Sequence, residues 1–333
     1  MKIMVFDVPA ESGGALTVLN QYYDTALKDI NNEWFFVIST PQLKEYGNVK
    51  VLRYPWIKKS WFHRLFFDRF VASKLARKYN VDEVLSLQNV VVPRIKVKQT
   101  LYLHQSLPFA EKRYKLNENF KFWVYQNVIG KLIFKSIKQA DKVIVQTKWI
   151  RDAAIKKTGV KKEKFIVKHP KLNLTVKKIY SMEEKDSKLF FYPASGMDYK
   201  NHRIIVGACK KLMHEGINNY NIIFTLEGNE NEEIKKLYEI SKHNNFPIQF
   251  VGSLNINEVY EYYSKSTLVF PSYIETFGLP LLEARRHNTP ILASDCAFSH
   301  EVLDGYNRVE FFDPFDETDL SLKMQNSLKM NVI

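Results

Sequence analysis

Short, nearly continuous apolar runs alternate along this chain with longer stretches in which apolar positions recur every three or four residues. The first pattern is that of strands buried on both faces of a parallel sheet; the second is that of amphipathic helices covering it. In the first half KIMVFDV, EWFFVIS, NVKVLRY, DEVLSL, QTLYLH, DKVIVQT and KFIVKHP read as strands. After His169-Pro170 the periodicity lapses through KLNLTVKKIYSMEEKDS, which reads as a linker. The alternation restarts with KLFFYPA, NIIFTLEG, IQFVG, TLVFPS, TPILAS and RVEFF, with helices such as KNHRIIVGACKKLMHEG and NEEIKKLYEISKHN between them. This predicts an α/β protein of two doubly wound, Rossmann-like domains, residues 1–174 and 175–333, facing an interdomain cleft beyond the carboxyl ends of their strands.

Length and composition agree with two domains. At 333 residues, 45% hydrophobic and 14% aromatic, the chain has ample material for two cores. Cys209 and Cys296 match neither a zinc spacing nor a redox pair and read as interior thiols in a reducing compartment. The apolar run at the N-terminus is too short for a signal peptide, and nowhere do eighteen uninterrupted apolar residues occur, so the expected location is cytoplasmic. Charge is asymmetric: residues 1–175 carry 32 Lys+Arg against 14 Asp+Glu, a net of +18, and the remainder 17 against 22, a net of −5. A basic first half points to an anionic partner: a membrane surface, a nucleic acid or a phosphorylated substrate.

The segment FPSYIETFGLPLLEA, residues 270–284, carries the most chemistry. Pro271 ends a buried strand and Pro280 suits the first turn of a helix, so Thr276 to Leu279 form a strand-to-helix turn. The N–H groups of such a turn, left unpaired at a helix N-terminus, suit a phosphate or sugar hydroxyls, and Gly278 admits a ligand close to the backbone. Glu283 is placed in the first helical turn, where the helix dipole stabilises a carboxylate and where two oxygens can hold a ribose diol. Glu275, at the strand's carboxyl end, is either functional or a cap of the turn.

This segment resembles the E-x7-E signature of the glycosyltransferase family 4 retaining enzymes, which have the two-Rossmann GT-B fold. The resemblance implies that Glu283 binds the donor's ribose, that Glu275 lies near the donor sugar and reaction centre, and that Thr276, Phe277, Gly278 and Leu279 contact sugar and phosphate. It further implies that Lys200, at a helix start after the second domain's first strand, neutralises the donor diphosphate. A second phosphate-binding Arg common in that family is absent, Ala194-Ser195-Gly196 standing in its place. By the same resemblance Gly13 and Gly14 approach donor phosphate and acceptor, His104 stands near the donor sugar, and Gly252, Ser253 and Leu254 hold the base; each has an ordinary structural reading as well. No Asp-x-Asp occurs, and Glu317-Thr318-Asp319 falls in a C-terminal helical stretch, so a metal-independent transferase without a cofactor is expected.

The implied activity moves a sugar from a nucleoside diphosphate donor, with UDP the expected nucleotide, to a lipid-linked or polysaccharide acceptor. A GT-B nucleotide-sugar epimerase, or a non-enzymatic nucleotide- or nucleic-acid-binding protein, are the alternatives. The stretch RYPWIKKSWFHRLFFDRFVASKLARK, residues 53–78, interleaves Trp56, Ile57, Trp61, Phe62, Phe66, Phe67 and Phe70 with Lys58, Lys59, Arg64 and Arg69. From Phe67 onward it reads as a sheet-covering helix burying Phe67, Phe70, Val71 and Leu75; the earlier part suits a lipid headgroup interface. Peripheral membrane contact through the basic first domain is thus expected. Nucleic-acid binding ranks below it, since no nucleic-acid module is recognisable and the second half is acidic.

Overall fold

The structure is a computed structural model that describes residues 1–11, 13–170, 176, 178–181 and 188–330. It divides into two compact units, Met1–His169 and Pro170–Ile333. The boundary expected at residues 174 and 175, and most of the expected linker 171–187, lie outside the described residues.

The first unit contains β1 (Lys2–Asp7), α1 (Gly13–Lys28), β2 (Glu33–Ile38), β3 (Val49–Arg53), α2 (Trp61–Phe66), α3 (Ala72–Lys78), β4 (Glu83–Ser86), β5 (Lys98–Leu103), α4 (Phe120–Val124), α5 (Gly130–Gln139), β6 (Lys142–Val145), α6 (Lys148–Thr158) and β7 (Phe165–Val167). Its seven strands are all parallel, in the order β3-β2-β1-β4-β5-β6-β7. Alternate residues of β1 explain why that strand reads as one apolar run: Met4 and Phe6 pack on one face with Phe35, Val37 and Phe67, and Val5 packs on the other with Leu19, Phe36 and Leu85.

The stretch 53–78 departs from one regular helix. A 3₁₀ turn at Pro55–Lys59 precedes α2, and one π-helical turn at Phe67–Val71 joins α2 to α3. Ile57, Phe67 and Leu75 are buried as core, whereas Phe70, expected inside, is 48% exposed. The π turn offsets the residues before it from those after it, which breaks the single apolar stripe a uniform helix would carry. Trp61, Phe62, Leu65, Phe66 and Phe70 are all left exposed.

The second unit contains β8 (Leu189–Tyr192), α7 (His202–His214), β9 (Asn221–Phe224), α8 (Glu232–His243), β10 (Ile248–Phe250), α9 (Ile256–Lys265), β11 (Thr267–Phe270), α10 (Leu279–Arg286), β12 (Ile291–Ser294), α11 (Ala297–Val302), β13 (Val309–Phe312) and α12 (Glu317–Met330). Its parallel sheet runs β10-β9-β8-β11-β12-β13, so the strand order reverses between β8 and β11. Ligands of doubly wound sheets bind beyond the carboxyl ends of the strands at such a reversal. Cys209 is interior as expected, but Cys296, just before α11, is partly exposed.

Candidate active site

Two connections leave the sheet at that reversal. The one after β8 makes a short 3₁₀ turn, Asp198–Lys200, and the one after β11 is the Pro271–Gly278 turn that leads into α10. Asn201 ties them together. Its backbone is left-handed (φ +61°), a conformation Asn tolerates, and its buried side-chain amide donates to Pro271 O at 3.3 Å and to Pro314 O at 2.7 Å. Tyr273 N–H closes the junction on Tyr199 O at 3.2 Å.

The Lys200 ammonium is thereby set against the Glu275 carboxylate, and the two form a hydrogen-bonded ion pair with little solvent access. Burial is the largest single influence and pulls the Lys200 pKa down, but the Glu275 charge, Tyr199 and the hydrogen bond to Glu275 together outweigh it and the net shift is upward, so Lys200 is a cation throughout the physiological range. Ser272 Oγ donates to the same Glu275 oxygen at 2.8 Å, and Ser272 O accepts from Ser294 Oγ at 2.6 Å, which anchors the turn to β12. Tyr192 OH donates to Lys200 O at 2.7 Å from the end of β8. Sequence reasoning found Lys200 and Glu275 but not Ser272, Tyr192, Asn201 or Tyr199; none of these carries a spacing signal.

Gly278 takes a left-handed conformation, φ +86°, and a Cβ there would meet Leu281 Cδ1 at 3.3 Å. Of the positions that open α10, Pro280 has no N–H and Leu281 donates to Gly278 O at 3.0 Å. Both positions lie beyond Thr276–Leu279, so they leave the donors expected across that turn as they were. Glu283 is not in the first helical turn as expected: α10 begins at Leu279, so Glu283 is its fifth residue and lies beyond that turn. It is held instead by Tyr263 OH, which donates to Oε2 at 3.2 Å; burial pushes its carboxyl above the usual range and that hydrogen bond opposes the rise.

Beneath Lys200, the His202 ring packs on Tyr192 with centroids 4.7 Å apart, and neither ring nitrogen has a hydrogen-bond partner. Burial, aided by the Lys200 charge, pushes its pKa down to about 3, so it stays neutral and adds no like charge to the site. Of Ala194-Ser195-Gly196, which stand where the family's Arg is absent, Gly196 is closely packed. A Cβ on Gly196 would lie 2.8 Å from Ile234 Cγ1 and 3.2 Å from Asn231 Nδ2, so no side chain fits that position without rearrangement.

The remaining predicted residues lie elsewhere. Gly252, with φ +74°, turns the chain after β10 and donates to Leu226 O at 2.9 Å; exposed Ser253 and half-buried Leu254 follow. They sit two strands from β8 in the same sheet. Gly13, Gly14 and His104 belong to the first unit. Both glycines open α1, and a Cβ on either would meet nothing within 4 Å. His104 follows β5, where its N–H donates to Asn89 Oδ1 at 2.7 Å; burial lowers its pKa to about 4 against the opposing effect of a hydrogen bond to the Leu87 backbone, so the ring is neutral at pH 7. Among the described residues no group of three or more His, Cys, Asp or Glu could hold a metal ion.

Two doubly wound units, with a Lys–Glu pair at the strand-order reversal of the second, define a protein of the GT-B architecture, and residues 177–331 match the family model "Glycosyl transferases group 1". The chain is 24% identical over 262 residues to the O-antigen chain mannosyltransferase RfbU of Salmonella typhimurium, covering 78% of this chain and 69% of that one. In structure it is similar to a sucrose-phosphate synthase from Thermosynechococcus elongatus (TM-score 0.74, 16% identity, 99% of this chain and 90% of that one). It is also similar to Anabaena HepE in complex with UDP and glucose (TM-score 0.69, 14% identity, 99% and 90%).

Proposed function

We propose that the chain is a retaining, metal-independent glycosyltransferase of the family 4 type. It moves a sugar from a nucleoside diphosphate donor to a lipid-linked or polysaccharide acceptor and requires no cofactor. The observation that carries this reading is the Lys200–Glu275 pair, buried at the reversal of strand order and followed directly by α10. Breaking the anomeric bond of a nucleotide sugar puts negative charge on the departing diphosphate and positive charge on the sugar ring. Lys200 answers the first and Glu275 the second, and in the resting site each neutralises the other. Glu283, partly buried beside Tyr263, would accept hydrogen bonds from ribose hydroxyls. The UDP named with HepE supports a UDP-linked donor, and the O-antigen relative supports a glycan acceptor.

The reading includes action at the cytoplasmic face of a membrane, for which the exposed aromatic surface of α2 and its flanking cations speak. No helix among the described residues is long and apolar enough to cross a membrane. The test is a donor-consumption assay over a panel of nucleotide sugars, with and without glycan acceptor. Lys200→Gln and Glu275→Gln are each expected to lose roughly 100- to 1,000-fold in kcat while remaining folded. Near-wild-type turnover in either variant contradicts these roles, and release of an isomerised sugar without acceptor would make the protein an epimerase.

A further inference from the structure

Beside the ion pair stands an aromatic pair that the proposed chemistry does not use. The Tyr273 and Phe315 rings lie 5.1 Å apart, centroid to centroid, at 52°. Tyr273 is two residues before Glu275, and Phe315 is in the loop between β13 and α12, where it is 65% exposed. An exposed Phe forgoes the stabilisation that burial of its ring would bring.

The turn that presents Phe315 is nevertheless tightly built. Phe315 N–H donates to Asp313 Oδ1 at 2.8 Å, Asp313 N–H donates to Asp319 Oδ2 at 2.9 Å, and Pro314 O accepts from Asn201 at 2.7 Å. Asn201 is the residue after Lys200, and Tyr273 N–H is bound to Tyr199 O on the other side of that lysine. The backbone that carries the two rings is therefore tied to the Lys200–Glu275 pair by a short chain of backbone and amide hydrogen bonds, and the rings pack against each other.

We propose that Tyr273 and Phe315 form a stacking platform for the face of a pyranose ring at the edge of the active site. The inference rests on the glycosyltransferase reading for the identity of its ligand. The C–H face of a sugar ring packs on an aromatic face, and a preordered platform binds it without the cost of immobilising side chains. A nucleobase would also stack on aromatic rings, but sheet order argues against it. The loop expected to hold the base follows β10, three strand spacings from β11 and five from β13, or roughly 14 and 24 Å. The ring that reaches the platform is thus a sugar, either the donor's or the acceptor's.

The test uses the intact chain in two measurements. In saturation-transfer NMR with UDP, methyl α-D-mannopyranoside and methyl α-D-glucopyranoside, wild type and Phe315→Trp should saturate the ring protons of a glycoside. Phe315→Ala and Tyr273→Ala should lose that signal and keep that of UDP, with circular dichroism confirming the fold. In transfer assays Phe315→Ala should raise one KM about fivefold, the donor's if the donor sugar is stacked and the acceptor's if the acceptor is. Both KM values unchanged within twofold, or no glycoside signal in wild type, overturns the platform, as does loss of the UDP signal together with the sugar's. A wild type that contacts glycosides through Phe315 but transfers nothing from any nucleotide sugar overturns the enzymatic reading and leaves the platform standing.

Discussion

Asp7 shows how far a single buried carboxyl can depart from its free behaviour. It ends β1 with no solvent exposure, and burial pushes its pKa up to about 8 against the pull of Arg64 and Lys58. The native state therefore holds a proton on Asp7 between about pH 4 and 8 that the unfolded chain has released, and stability falls as pH rises across that window. The contribution is fully present below the unfolded pKa and is lost through pH 8. Asp7→Asn should flatten this slope: thermal unfolding at pH 5 and pH 8.5 should differ less in the variant than in wild type, and an unchanged difference would count against a protonated Asp7. His202 works in the opposite sense, neutral in the fold and protonated in the unfolded chain between about pH 3 and 6.5, so its contribution is lost as pH falls through that range.

The strands were legible because parallel strands buried on both faces are apolar over most of their length, as TLVF, ILAS and WFFVI are. The helices were legible where one apolar stripe runs the length of the element, as in α7 and α8. The π turn at Phe67–Val71 broke that rule, and Phe70 came out on the surface. The turn before α10 carries the sharpest backbone demand in the site, since Gly278 must take φ +86° with Leu281 close above it. Gly278→Ala should cost about 1–2 kcal/mol in urea unfolding. Gly196→Arg should cost about 1–3 kcal/mol, the penalty of overpacking against Ile234 and Asn231. Urea midpoints equal to wild type would show that these turns are less constrained than their geometry requires.

At the scale of the molecule, charge and apolar exposure coincide. The basic half of the sequence also carries the exposed surface of Trp61, Phe62, Leu65, Phe66 and Phe70, with Phe62 at 83% exposure. Aromatic residues among cations suit an anionic bilayer surface, where the charges attract and the rings insert. The protein should sediment with phosphatidylglycerol vesicles, and Phe62→Ser with Phe66→Ser should weaken that binding at least about tenfold without affecting turnover on a soluble acceptor. Binding to single-stranded oligonucleotides that is tighter than to vesicles, and equally salt-sensitive, would move the partner from lipid to nucleic acid.

The order of strands and helices and the two-unit architecture follow from the sequence because apolar periodicity is a local property of the chain; Glu275 and Glu283 stand in one contiguous motif, and Lys200 is singled out only by the family resemblance that the motif carries. Local pattern could not show that Lys200 and Glu275 meet, since they are 75 residues apart and are joined only where the sheet reverses its order. Nor could it show that Glu283 answers to Tyr263 rather than to a helix dipole, that Gly196 is closely packed, or that Tyr273 finds Phe315. Each of these depends on which strands become neighbours, and strand adjacency is decided by packing across the whole sheet.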